Sequence, residues 1–431
     1  MNTIEFTHTR RKEAIVTMGL AFVLSLAMSP IVIYRYNFFY RVAFPVAVLI
    51  IIILLKRNVL NIILSRNCRP LIVCLIVFTF FSISAPEQYS RNCLITYMRG
   101  LILFICGFVL SKDPKRFSYF VVAICISLLA IAYKMYAGVS IAGMLHSNRV
   151  SFVLTAASSM GIDIREIAFK EMATNFMWYI SFAGLLLASV FDSNSKWLRF
   201  IAAILFLSIL FFCVVSMWTT PVLVLVFGFG IIVTFNAKIG KGGISTKKLR
   251  KIFVGGLAMA IIIVAVLTLV NQFTSGEAKR KADRLNMIFT RLVLGQGDFS
   301  KWNEASSGRF ERIPLSINTF IDSPFVGVGE YSGNISGHSA FIDAFAQFGL
   351  LGGIPVAIIL IFYMKLAVRV SRKESEISWT MAACVSLLIM FFIMSFLNPI
   401  FMSANCEAVF FVVAGFVSGR HALYVHSYKN R

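Results

Sequence analysis

Two arginines in the segment SSGRFERIPLSINTFID have the chemistry to bind a phosphate group. Arg309 and Arg312 are three positions apart, so they lie on one side of a helix if a preceding serine caps its start. A guanidinium group stays charged and presents a planar fork of donors that suits phosphate oxygens. The alternative is that they pair with nearby acidic residues, namely Glu304, Glu311 or Asp322. The spacing does not choose between these two roles.

His338 and Asp343 stand where a glycine-containing loop, SPFVGVGEYSGNISG, enters a long apolar run. Glycine permits turns and close backbone approach. We therefore expect turns at Gly327, Gly329, Gly333 and Gly337. An imidazole at such a helix start can move a proton near neutral pH. The alternatives are that His338 is a structural hydrogen-bonding residue, and that Asp343 caps the helix or forms a salt bridge.

A third cationic position, Arg291, lies on a predicted amphipathic helix within SGEAKRKADRLNMIFTRLVLG. The apolar residues follow helical spacing, at Leu285, Ile288, Phe289 and Leu292. The pattern favours a helix in the membrane interface with a solvated basic face. Direct contact between Arg291 and a substrate is the alternative.

The elements that must position these residues are membrane helices. Only 14% of the 431 residues are charged and 58% are hydrophobic, whereas a soluble chain carries about 25% charged residues. The net charge of +22 would indicate nucleic acid in a soluble protein, but membrane topology explains it here, so no nucleic-acid partner is expected. We predict an all-α polytopic membrane protein of about twelve transmembrane helices. The spans are 14–34, 42–55, 71–84, 100–110, 117–137, 172–190, 198–217, 222–235, 253–270, 340–366, 379–397 and 408–417.

The distribution of basic residues predicts the orientation of these spans. Twenty-five of the 41 Lys and Arg residues fall in short segments on one side, which predicts that both termini are cytoplasmic. The short outside loops hold only Arg35, Arg41, Arg91 and Arg99. Three parts follow: residues 1–270, a membrane domain of nine spans with an outside loop at 138–171; residues 271–339, a large outside loop carrying the motif; and residues 340–431, three spans and a cytoplasmic tail.

The segment around His338 resembles the signature of the O-antigen ligase and polymerase superfamily, membrane glycosyltransferases that use polyprenyl-diphosphate-linked glycans. The family pattern is His, then Asn, Ser or Gln, nine residues, Gly, two residues and Gly. It matches His338, Ser339, Gly349 and Gly352. The phrases SGRFER and SPFVGVG are also similar to the family, and together these matches cover about fifty residues. The rest of the chain is similar in architecture only.

The resemblance implies a periplasmic active site in a bacterial inner membrane. There, His338 would take the proton of an acceptor sugar hydroxyl, and Arg309, with Arg312 beside it, would bind the diphosphate. Asp343 and Arg291 are further candidates for substrate contact. No cofactor is expected, and the sequence offers no clustered carboxylates for a metal. The implied partners are the polyprenyl-diphosphate-linked glycan, the lipid bilayer and a chain-length regulator.

Two features favour a polymerase of the Wzy type over a ligase. The block GHSAFID is similar to those polymerases, whereas ligases tend to read His-Asn followed by Glu. Many ligases also carry an arginine at the outside end of the middle span, and SMWTTP at 216–221 has none. Arg149 in the other long loop is the candidate for this second cationic contact. The alternatives are a ligase that transfers glycan to the lipid A core and, from another class, a transporter of lipid-linked saccharide.

Overall fold

The computed structural model describes residues 17–24, 44–55, 59–84, 88–136, 167–215, 219–239, 309–329, 335–337, 339–374, 377–398 and 406–429. All regular secondary structure in these ranges is helical. Residues 17–24 are helical, and a 3-10 turn at Leu187–Asp192 follows α6. The helices are α1 (Phe44–Leu55), α2 (Val59–Ile63), α3 (Arg69–Ser84), α4 (Gln88–Leu110), α5 (Pro114–Tyr136), α6 (Ile167–Leu186), α7 (Lys196–Val215), α8 (Thr219–Ile239), α9 (Arg309–Asp322), α10 (Ala340–Ser371), α11 (Ser378–Leu397) and α12 (Cys406–Lys429).

Six helices in the described ranges are long and apolar enough to cross a membrane, in agreement with the predicted all-α membrane protein. They are α4, α5, α7, α10, α11 and α12, and shorter apolar helices occur at Arg69–Ser84, Phe176–Asp192 and Thr220–Asn236. The predicted span 253–270 lies outside the described residues. The count of twelve spans, the orientation and the three-part division therefore stay predictions.

Helices α4 and α12 run parallel, and their backbones touch. A Cβ atom at Gly107 would overlap the Val412 carbonyl, and one at Gly415 would overlap the Phe104 carbonyl. Glycine at such positions lets membrane helices approach closely. The small residues therefore allow α4 and α12 to pack with their backbones in close contact.

Arg99 lies inside this helix pair, which corrects its predicted place in a short outside loop. Helix α4 begins at Gln88, so Arg99 falls within the candidate span and is 6% exposed. Its Nη2 lies 3.3 Å from Glu407 Oε1 at the start of α12 and 3.1 Å from Thr96 Oγ1. The charge is tolerated in this apolar setting because a carboxylate faces it.

Helix α10 is broken at Gly349, where the segment 323–329 packs against it. Gly349 has φ 58° and ψ −156°, which interrupts the helical hydrogen bonds. The freed carbonyls of Ala346 and Gln347 accept from the N–H groups of Val328 and Gly329, at 3.2 and 2.8 Å. In return, the N–H groups after the break donate to the carbonyls of residues 324 and 325, at 2.8 and 3.1 Å. Two carbonyls and two N–H groups at the break are thus paired with the facing segment, as an apolar environment requires.

Glycine is needed both in α10 and in the segment that packs against its break. A Cβ atom at Gly327 would overlap the Gln347 carbonyl group, and one at Gly349 would overlap that of Phe325. Three of the four predicted turn glycines have a positive φ, whereas Gly333 lies outside the described residues: the values are 67° at Gly327, 74° at Gly329 and 67° at Gly337.

Aromatic rings pack α10 against α3 beside the break. The Phe348 ring contacts those of Phe78 and Phe81 in α3, with centroid distances of 5.0 and 5.1 Å. Farther along α10, the Tyr363 hydroxyl donates to the Asn67 carbonyl at 3.0 Å. These contacts show that α10 is antiparallel to α3.

The upper end of the bundle is defined as the end at which α3 ends and α4, α10 and α12 begin.

Candidate functional site

The predicted site residues that the structure describes lie at the upper end. Arg309 is the first residue of α9, and Arg312 lies one turn later with an exposed side chain. Asp343 lies in the first turn of α10 and is buried, with 3% of its surface exposed. Three other predicted residues lie outside the described residues: His338, Arg291 and Arg149. The chain is described on both sides of His338, at Gly337 and Ser339.

Asp343 connects three parts of the upper end. Its Oδ1 accepts hydrogen bonds from the hydroxyls of Ser316 in α9 and Ser336, each at 2.6 Å. Its Oδ2 accepts from the Ser339 N–H at 3.2 Å. The Ser336 N–H also donates to Ser316 Oγ at 2.7 Å. Asp343, Ser316, Ser336 and Ser339 are called the Asp343 network.

The network is a local consequence of how α10 begins. Ser339 is the N-cap, and its hydroxyl accepts from the Ile342 N–H at 3.1 Å. A carboxylate in the first turn is favoured by the partial positive charge of a helix N-terminus. Burial strengthens the three hydrogen bonds that Asp343 accepts. Consequently, the chain is fixed two residues before His338 and one residue after it.

The Asp343 network also connects α9 to this segment. Position 309 is seven residues before Ser316, so the two positions share a helix face within about 20°. Position 312 is four residues before Ser316, so it lies on the same side of α9, and its side chain is exposed. The predicted alternative of an ion pair with Asp322 is ruled out for Arg312, because ten helical residues separate their positions by about 15 Å.

Sequence reasoning did not predict that three serines bind to Asp343. Ser316 had a usable signal, because it follows Arg309 by two helical turns on the helix that the spacing predicted. Ser339 matches the family pattern as the residue after His338, but the pattern does not predict its N-cap role, and Ser336 has no pattern that distinguishes it from other loop serines. In the described ranges, no cluster of three or more His, Cys, Asp or Glu residues could hold a metal ion.

Comparison with protein-family models and with curated proteins identifies no relative of this chain. No protein-family model matches the chain, and no curated protein is detectably similar to it. The case for a function therefore depends on the motif and on the geometry of the upper end.

Proposed function

We propose that this protein is a membrane glycosyltransferase that polymerises polyprenyl-diphosphate-linked repeat units of O-antigen or another surface polysaccharide. The observation that carries the proposal is the Asp343 network, which fixes the chain on both sides of His338 at the end of an apolar helix bundle. A rigid supporting shell is what a catalytic side chain needs, because small misplacements of a reacting group cause large rate losses.

The proposed reaction needs a base at the acceptor and positive charge at the leaving group. His338 takes the proton of a hydroxyl on the terminal sugar of a new repeat unit as that oxygen attacks the anomeric carbon of the growing glycan. The new glycosidic bond forms while the bond from the anomeric carbon to the diphosphate oxygen breaks. Polyprenyl diphosphate leaves with the electron pair, and Arg309 stabilises its negative charge.

The two arginines of α9 have unequal parts in this proposal. Positions 309 and 312 both lie on the side of α9 that carries Ser316, which donates to Asp343, and the Arg312 side chain is exposed. Arg309 is the principal diphosphate contact because it completes the Ser-Gly-Arg phrase that resembles the family, and Arg312 beside it adds general positive charge. Arg291 and Arg149 remain candidates for a second contact, and Asp343 positions the His338 segment because its carboxylate oxygens already accept from protein donors.

The proposed setting is the inner membrane of a bacterium, with the upper end facing the periplasm. The energy for transfer comes from the diphosphate bond of the lipid-linked donor, so no nucleotide is needed on that side. A chain-length regulator would act on the same growing glycan. The lipid bilayer supplies both the donor and the acceptor through their polyprenyl chains.

The test is the electrophoretic profile of surface polysaccharide from cells lacking this gene. Complementation with the wild type restores a ladder of long chains, and His338→Ala does not, at equal protein level and membrane insertion. His421→Ala is the control, because this histidine lies at the opposite end of the bundle beside Asn67. A core with a single repeat unit indicates a polymerase. Bare core with polymer retained on the polyprenyl carrier would indicate a ligase, and wild-type function of His338→Ala would favour a transporter.

A further inference from the structure

Gln347 is a fully buried amide with no hydrogen-bond partner in the part of the chain that the structure describes. Its side chain is 0% exposed, and neither Oε1 nor Nε2 is bonded. Nearly all buried polar side chains in proteins have a partner, so such a group requires an explanation. An apolar residue of the same size would fill the position at a lower free energy.

The neighbouring donors and acceptors are already occupied. The backbone carbonyl of Gln347 accepts from the Gly329 N–H at 2.8 Å. The Asp343 carboxylate, one turn earlier, accepts from Ser316, Ser336 and Ser339. The structure therefore leaves the side-chain amide of Gln347 unsatisfied, whereas its backbone carbonyl and the Asp343 carboxylate are paired.

Gln347 lies one helical turn after Asp343 on α10. Residues 343 and 347 are four apart and share one face of α10. Side chains of a helix lean toward its N-terminus, so the Gln347 side chain leans toward the Asp343 network. The amide thus lies about one helical turn from the network that fixes the chain on both sides of His338.

We propose that the Gln347 amide binds a sugar hydroxyl of the acceptor repeat unit during transfer. A hydroxyl both donates and accepts a hydrogen bond, and a neutral amide offers one acceptor oxygen and a donor nitrogen in return. A diphosphate, by contrast, accepts only and calls for positive charge, which the arginines of α9 supply. Because the amide is covered at rest, the acceptor displaces the side chains over it as it binds. This proposal rests on the proposed function.

The test separates stability from binding. Gln347→Leu and Gln347→Met remove the amide and keep the volume, so both purified variants should melt at or above the wild-type temperature. In the His338→Ala background, which cannot turn over, the probe is the lipid-linked repeat unit extracted from cells lacking this gene. Either substitution should weaken binding of that probe at least about tenfold, the effect of losing one good hydrogen bond to the ligand. In cells whose protein keeps His338, either Gln347 substitution should shorten the polymer ladder.

Ser418→Ala is the matched control. The Ser418 hydroxyl is also buried without a partner among the described residues, but it lies on α12 at the opposite end of the bundle. Its removal should leave both probe binding and the ladder unchanged.

Two results would overturn the proposal. A lower melting temperature for both Gln347 variants would show that the amide has a structural partner, and unchanged binding and ladder would show that it has no part in recognition. Failure of the proposed function looks different, because the protein with Gln347 intact would then neither bind the repeat unit nor lose its activity with His338→Ala.

Discussion

The Asp343 carboxylate holds together the chain segments on both sides of His338. Its two oxygens accept from two hydroxyls and one backbone N–H, and these donors come from α9, from the residue before Gly337 and from the N-cap of α10. The side chain is buried, so each donor would lose its partner without a replacement by water. At the scale of single residues, the structure gives Asp343 a positioning role for the chain that carries His338.

Asp343→Asn should disorder the His338 segment while keeping the volume of the side chain. An amide nitrogen cannot accept from a serine hydroxyl, so at least one donor of the Asp343 network is left unpaired, at about 1–3 kcal/mol. We expect polymerisation to fall roughly 100-fold, as for a misplaced reacting group, with repeat-unit binding much less affected. Turnover and binding by the purified variant check this.

Asp322→Asn is the control for Asp343, because it removes a charge from the exposed end of α9 outside the network. A positioning role also predicts that Ser316→Ala and Ser336→Ala each give part of the Asp343→Asn effect and that the effects are not additive. Wild-type turnover in Asp343→Asn would refute the role.

The two arginines of α9 should differ in their contribution to catalysis. Arg309→Ala removes the proposed diphosphate contact and should lower turnover by roughly 10²–10³, the loss typical of one transition-state donor. Arg309→Lys should recover little, because an ammonium lacks the planar fork. Arg312→Ala should have a much smaller effect, since that side chain is exposed. Equal losses at the two positions, measured as initial rates of chain extension, would contradict the assignment.

At the scale of elements, the break in α10 is the feature that sequence patterns predicted least well. The run 340–366 was predicted as one span, whereas Gly349 interrupts it. The spacing of apolar residues cannot show such a break. The backbone groups that the break leaves free are paired by residues 324–329, which precede the helix in the chain. The turns at Gly327 and Gly329 and the helix that begins at Arg309 could be predicted, since glycine type and helical spacing are local signals.

Gly349→Ala and Gly327→Ala should each destabilise the protein. Both positions have a positive φ, and a Cβ atom would overlap a backbone carbonyl group of the facing segment. Backbone strain of this kind costs about 1–3 kcal/mol, and the overlap adds to it. Gly230→Ala on α8 is the control, because nothing lies within 4 Å of its added Cβ. Melting in detergent measures the effect, and a wild-type melting temperature for Gly349→Ala would argue against the break.

At the scale of the whole molecule, the bundle is held by contacts between parts of the chain that are far apart in sequence. The Arg99–Glu407 pair joins α4 to α12, and Asp192 after α6 accepts from the N–H groups of Trp379 and Thr380 at the start of α11. Composition predicts an all-α membrane protein, in agreement with the six long apolar helices of the described ranges. The burial of Arg99 could not be predicted, because its partner is about 300 residues away.

Removing one member of the buried pair should harm stability more than removing both. Glu407→Gln or Arg99→Met alone leaves a buried charge without its counter-charge, and we expect a loss of about 3–5 kcal/mol. Replacing Arg99 by Met and Glu407 by Leu together should restore much of the stability. The yield of folded protein and its melting temperature check this, and a double variant less stable than either single one would contradict it.

The most direct measurement of the central claim uses purified protein in proteoliposomes with lipid-linked repeat units as both donor and acceptor. We expect a ladder of lengthening glycans and one free polyprenyl diphosphate for each bond formed, without added nucleotide or metal. His338→Ala should yield neither product while still binding the repeat unit. A ladder of wild-type length and rate from His338→Ala would contradict the proposed catalytic role of this histidine.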